Sequence, residues 1–100
     1  MPRKVLQATP HSDIGKRLRL ARLAVGEDNL GRYAEAAGIA ANAYSQHESG
    51  AKRISLEAAL ALKEHYNLSL DYIYAGDDTA LPHGLVLKIA KLRARAWPTR

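Results

Sequence analysis

Asn42, Ser45 and Gln46 stand at i, i+3 and i+4 within the stretch GIAANAYSQHESG, with Ala41 beside them. On a helix that spacing places them on one face. A carboxamide can pair with adenine N6 and N7 together, a hydroxyl donates or accepts, and a methyl suits a thymine methyl. The chemistry these residues offer is recognition of base edges in a DNA groove. Asn and Gln also populate ordinary surfaces, so the assignment depends on what surrounds them.

Bond-making chemistry finds no comparable constellation. His47-Glu48 begins like a zinc-protease motif, but Ala51 stands where the second histidine belongs. Gly26 and Gly31 have the spacing of a phosphate-binding loop, yet Arg32-Tyr33 replaces its Lys-Ser/Thr. No G-x-S-x-G turn occurs. His11, His47, His65 and His83 lack metal-ligand spacing, and Asp77-Asp78 falls in turn-like sequence. The absence of cysteine removes disulfides, thiolate metal sites and a thiol nucleophile. The sequence therefore predicts no enzyme, no cofactor and no metal.

A length of 100 residues predicts one domain, and 47% hydrophobic residues suffice for one modest core but not two. The net charge of +5 favours an anionic partner without choosing among nucleic acid, acidic protein and anionic lipid. No apolar run approaches the roughly 18 residues of a membrane span, and the N-terminus lacks a secretory apolar region. A cytoplasmic protein with no membrane partner is expected.

The elements that must position the amide face read as helices throughout. Residues 1–11, with Pro2, Arg3, Lys4 and Pro10, are expected to be a flexible basic arm, either frayed or tracking phosphates. Ser12 or Asp13 is the expected cap of a first helix with Ile14, Leu18, Ala21 and Val25 inward, ending at Gly26. Asp28-Asn29 caps a second helix through Tyr33, Ala34 and Ala37, and Gly38 turns the chain into a third over about residues 41–48. Ser55 caps a fourth with Leu56, Ala59, Leu60, Leu62 and Tyr66 inward, stopped by Asn67, and Ser69 caps a short fifth to which Leu68, Leu70, Ile73 and Tyr74 belong. A sixth begins with Pro82 at its first position and ends at Trp97-Pro98. Its stripe of Leu81, Leu85, Ile89 and Leu92 suits the chain's own core, a dimer contact or a partner protein.

In this order the segments resemble the Cro/cI-type (XRE) helix-turn-helix family of phage and bacterial transcriptional regulators. The resemblance covers about residues 14–76. It is carried by Gly15-Lys16-Arg17-Leu18-Arg19, Tyr33-Ala34, Gly38-Ile39, Tyr44-Ser45-Gln46-His47-Glu48-Ser49-Gly50, Ser55-Leu56-Glu57 and Leu68-Ser69-Leu70-Asp71-Tyr72-Ile73. It implies an all-α fold: a compact five-helix, lambda-repressor-like DNA-binding domain at residues 12–76, with an additional C-terminal helix in residues 77–100. The third helix would enter the major groove of a double-stranded operator.

Residue by residue, the resemblance implies base contacts from Ala41, Asn42, Ser45 and Gln46, and phosphate contacts from Asn29, Arg32, Lys52 and Arg53. Arg22 and Glu48 match an ion pair joining the first and third helices. Three departures stand out: Ala40 replaces the usual Ser or Thr cap, His47 replaces an aliphatic residue, and the loop from Gly26 to Asn29 is one residue longer. The expected function is that of a sequence-specific transcriptional regulator, a repressor bound to a palindromic operator as a homodimer. Alternatives are the antitoxin of a toxin–antitoxin pair, held by a toxin (or antirepressor) partner, and a protein-interaction adaptor that has lost DNA binding.

Overall fold

Six helices follow one another in the computed structural model, which describes residues 11–96: α1 (Ser12–Ala24), α2 (Leu30–Ala36), α3 (Ala41–Ser49), α4 (Leu56–Tyr66), α5 (Leu70–Ala75) and α6 (His83–Ala96). No strand occurs among the described residues, so the fold is all-α. The arm expected over residues 1–11 lies, apart from His11, outside the described residues, as does the Trp97-Pro98 stop. No helix among the described residues is long and apolar enough to cross a membrane.

Short-range chemistry sets most helix ends. The side chains of Asn29, Ser55 and Ser69 accept from the backbone N–H of Arg32 (2.9 Å), Ala58 (3.1 Å) and Tyr72 (3.0 Å). Each satisfies one of the amide groups that a helix start leaves without a partner. Asn67 ends α4 in the left-handed region, φ 62°, which Asn tolerates better than most residues.

Several boundaries and faces differ from expectation. The cap position of α1 is His11, which makes no side-chain bond, rather than Ser12 or Asp13. The Gly15 N–H donates to the His11 carbonyl oxygen (3.0 Å), so the helix is already under way at Ser12. Asp13 instead places its charge in the first turn, where the helix dipole favours it. Val25 lies beyond the last helical residue and is exposed, while Leu18, Leu20, Ala21 and Ala24 are buried. Pro82 sits one position ahead of α6, its carbonyl oxygen accepting from Leu85 and Val86 (both 3.0 Å).

On α4, Ala58, Ala59 and Leu62 face inward, but Leu56 and Leu60 are exposed. At 100° per residue, Leu60 stands about 160° around the helix from Leu62, so one helix cannot bury both against one neighbour. A stripe containing Leu56, Ala59, Leu60 and Leu62 together was too wide to be a single face.

α1 is the element the others share. It packs against α3, α5 and α6, while α2 leans on α3 and α4 on α5. The core joins Leu18, Tyr33, Tyr44, Leu62, Leu68, Tyr72 and Ile73, all fully buried. Three tyrosine hydroxyls stitch its edges: Tyr66 donates to Tyr33 O (2.8 Å), Tyr72 to Arg17 O (3.2 Å) and Tyr74 to Ile54 O (2.8 Å). Leu81 and Ile89 belong to the same core, and Leu85 and Leu92 are half-buried against it. The α6 stripe is thus largely spent within one copy, and a second chain could reach only its half-buried members.

Gly15 explains how closely α1 and α3 cross. A methyl group added there would overlap the Glu48 carbonyl oxygen and stand 3.1 Å from Gly50 N. Backbone atoms cannot move aside as a flexible side chain does. Gly15→Ala gains up to about 1 kcal/mol of helix propensity, but overpacking typically costs about 1–3 kcal/mol. Net destabilisation is the expected outcome, read by urea unfolding; a more stable variant would mean that the two helices have room to separate.

Candidate nucleic-acid interface

α3 is nine residues long and has one buried apolar side chain, Tyr44. A helix this short is marginal by itself, so its neighbours must hold it. Tyr44 packs against Tyr33 with ring centroids 5.5 Å apart, and Tyr33 stacks on Tyr66 at 4.2 Å. The Tyr33 and Tyr44 hydroxyls lie near each other and near Glu48, without a hydrogen bond of good geometry. Burial raises the pKa of both phenols, which therefore stay neutral.

Arg22 and Glu48 meet directly. Arg22 Nε donates to Glu48 Oε2 (2.7 Å) and Nη2 donates to Oε1 (3.0 Å), with side-chain exposures of 9% and 7%. Two parallel bonds fix angle as well as distance. The hydrogen bond to Glu48 raises the Arg22 pKa against the opposing effect of burial. Arg22 Nη1 also donates to the Glu27 carbonyl oxygen (3.1 Å), so one guanidinium ties α1 to α3 and to the loop before α2.

With the inner side of α3 so held, Asn42, Ser45 and Gln46 face outward together. Their side chains make no hydrogen bond among the described residues. Ala41 is half-buried near the start of α2, 3.8 Å from where a Gly31 methyl would lie. Ala40 makes no side-chain cap; its carbonyl oxygen accepts from Tyr44 N–H (3.0 Å). Gly38 makes the turn between α2 and α3 at φ 83°, and Gly50 ends α3 at φ 83°, a region open to Gly at little cost.

The cations beside this face have unequal freedom. Lys52 and Arg53 follow α3 and are exposed. The Arg53 guanidinium lies 5.2 Å from the Tyr74 ring centroid, a cation–π contact that orients it. His47 is half-buried, its Nδ1 3.4 Å from the Lys52 carbonyl oxygen, so it steadies this connector. At the other end, Asn29 Oδ1 is occupied in capping α2, leaving its amide N–H groups to donate.

Arg32 is paired. Its Nη2 lies 3.3 Å from Glu27 Oε2 and its Nε 3.4 Å from Oε1. Glu27 Oε2 also accepts from Asn29 N–H (3.0 Å). That backbone bond, then Arg32, holds the Glu27 carboxyl below its usual pKa, so it stays ionised at neutral pH. A carboxylate thus already occupies donors that the resemblance assigns to a phosphate.

Sequence reasoning missed Glu27, Arg17 and the reason for Gly15. Arg17 donates from Nε to Ile73 O and from Nη2 to Tyr74 O, both 3.2 Å, closing the carbonyl end of α5. For Gly15, a glycine inside a helical run was itself a signal of close backbone approach. For Glu27, an acidic residue in the loop ahead of Arg32 was visible, but its pairing depends on the loop's path.

The ion pair gives a direct test. Arg22→Met leaves Glu48 buried without its cation and is expected to cost about 3 kcal/mol in urea unfolding; adding Glu48→Met recovers most of that loss. A single variant as stable as the parent would show that the pair is not buried and coupled. Searches of family models, of curated proteins and of solved structures return no match to this chain.

Proposed function

We propose that this chain is a sequence-specific DNA-binding protein of the Cro/cI helix-turn-helix type, acting as a transcriptional regulator. The observation that carries the reading is the α3 face. Asn42, Ser45 and Gln46 project together from a helix whose other side is locked by Gly15, Tyr44 and the Arg22–Glu48 pair. A rigid helix with unengaged amides fits the major groove, where base identity is displayed. Nine helical residues span about 13 Å, comparable to the groove's width of about 12 Å.

Phosphate contacts would set the register on the duplex and base contacts the preference. Lys52 and Arg53 grip the backbone beyond the C-terminal end of α3, and the Asn29 amide does so near its N-terminal end. Ala41 contributes a partly covered methyl. A chain bound across a promoter would act by excluding polymerase.

Binding to random duplex DNA across a salt series is the first test. The expected result is affinity that falls steeply as salt rises, because cations on phosphates release counterions. No binding even at low salt would sink the proposal.

Single variants separate the roles. Gln46→Ala is expected to lose about 1–3 kcal/mol on the preferred site and to relax preference at one base pair, whereas Lys52→Ala weakens every sequence alike and flattens the salt slope by about one. Glu27→Gln takes the competing carboxylate from Arg32. It is expected to strengthen binding to all duplexes and to steepen the slope by about one. Unchanged affinity on Glu27→Gln would place Arg32 away from the DNA.

A further inference from the structure

Two unpartnered surfaces on this chain complement each other. One is a groove of about 300 Å³ between the end of α1 and the side of α6. Leu23, Ala24 and Leu92 form its apolar floor, and Lys88, Lys91 and Arg95 its rim, with no acidic side chain among the lining residues. The three cations recur at i, i+3 and i+7, hence on one flank of α6. None makes a salt bridge among the described residues.

The other surface is the outer face of α4. Leu56 is 59% exposed and Leu60 42% exposed. Glu64 continues their i, i+4, i+8 ridge and Glu57 lies beside it, both exposed and without a salt bridge among the described residues. The ridge from Leu56 to Glu64 runs about 12 Å, and the basic row from Lys88 to Arg95 about 10 Å. Glu57 and Glu64 edge one flank of the ridge and the exposed Lys63 the other; its acidic flank matches, in length and in charge, an apolar groove edged with base.

We propose that the α4 ridge of one copy docks in the α1–α6 groove of a second copy. Leu56 and Leu60 would cover the apolar floor, and Glu57 and Glu64 would meet Lys88, Lys91 and Arg95. Since the two surfaces differ, the contact is head-to-tail: each copy keeps one free groove or ridge, and the assembly grows past two unless it closes into a ring. The net charge of +5 repels copies at long range, so the contact depends on this local pairing. The proposal does not rest on DNA reading, and its test contains no DNA.

Sedimentation equilibrium of the full chain at rising concentration is the experiment. The weight-average mass is expected to climb above the 10.9 kDa of one chain, to two chains where ridge and groove pair reciprocally and further where they pair end to end. Leu60→Lys spoils the ridge and Lys91→Glu spoils the groove, each weakening association by about tenfold or more. Mixed together, the two variants form a two-chain species and stop there, because one retains a groove and the other a ridge. Glu64→Lys and Arg95→Glu, at exposed sites, replace either variant should its circular dichroism depart from the parent's. A parent chain that stays monomeric at every concentration overturns the proposal. So does association unchanged by the variants, or a mixture that fails to pair.

Discussion

The rotation of α3 about its own axis depends on the Arg22–Glu48 pair. With Tyr44 as its one buried apolar side chain, α3 has an anchor but no apolar stripe to fix which way it faces. Hydrophobic contact is non-directional; a two-bond guanidinium–carboxylate contact is not. Gly15 sets how near α3 lies to α1, and the pair sets how it is turned. Burying such a pair yields little net stability against an apolar substitute. Its contribution is the direction in which Asn42, Ser45 and Gln46 point.

The charge excess is less available than the composition implies. Arg22 is committed to Glu48 and Arg17 to the carbonyl end of α5. Arg32 is offset by Glu27. Next to the amide face, Lys52 and Arg53 are left as unopposed cations, and both lie beyond the same end of α3. Another unopposed row, Lys88, Lys91 and Arg95, borders a different groove on α6. Net charge reports the sum; only the pairing reveals that the unopposed cations flank the amide face at one end.

What was legible in the sequence follows the range of the interaction. Asn29, Ser55 and Ser69 cap helices within three residues of themselves, and Asn67 and Gly50 end helices through their own backbone freedom. Such features need no knowledge of the fold. The exposed triad on α3 was legible because i, i+3, i+4 spacing defines a face without reference to any neighbour. The partners of Arg17 and Glu27 were not, since they depend on where other segments lie. Nor was the facing of α4: its leucines and alanines cover too much of its circumference for pattern alone to say which side packs. Ala58, Ala59 and Leu62 are the residues that the core receives, leaving Leu56 and Leu60 outside.

α1 carries more than its share of the architecture, and its last turn joins two surfaces. Arg22 reaches across to α3, while the next residues, Leu23 and Ala24, floor the groove beside α6. The guanidinium that orients the amide face also bonds the Glu27 carbonyl oxygen, one residue past Gly26 at the groove's edge. A body seated in that groove would press on the same turn that holds α3. Close-packed interiors transmit displacement because they are nearly incompressible. Any coupling between the groove and the amide face therefore has a short route, through one helical turn and one buried ion pair.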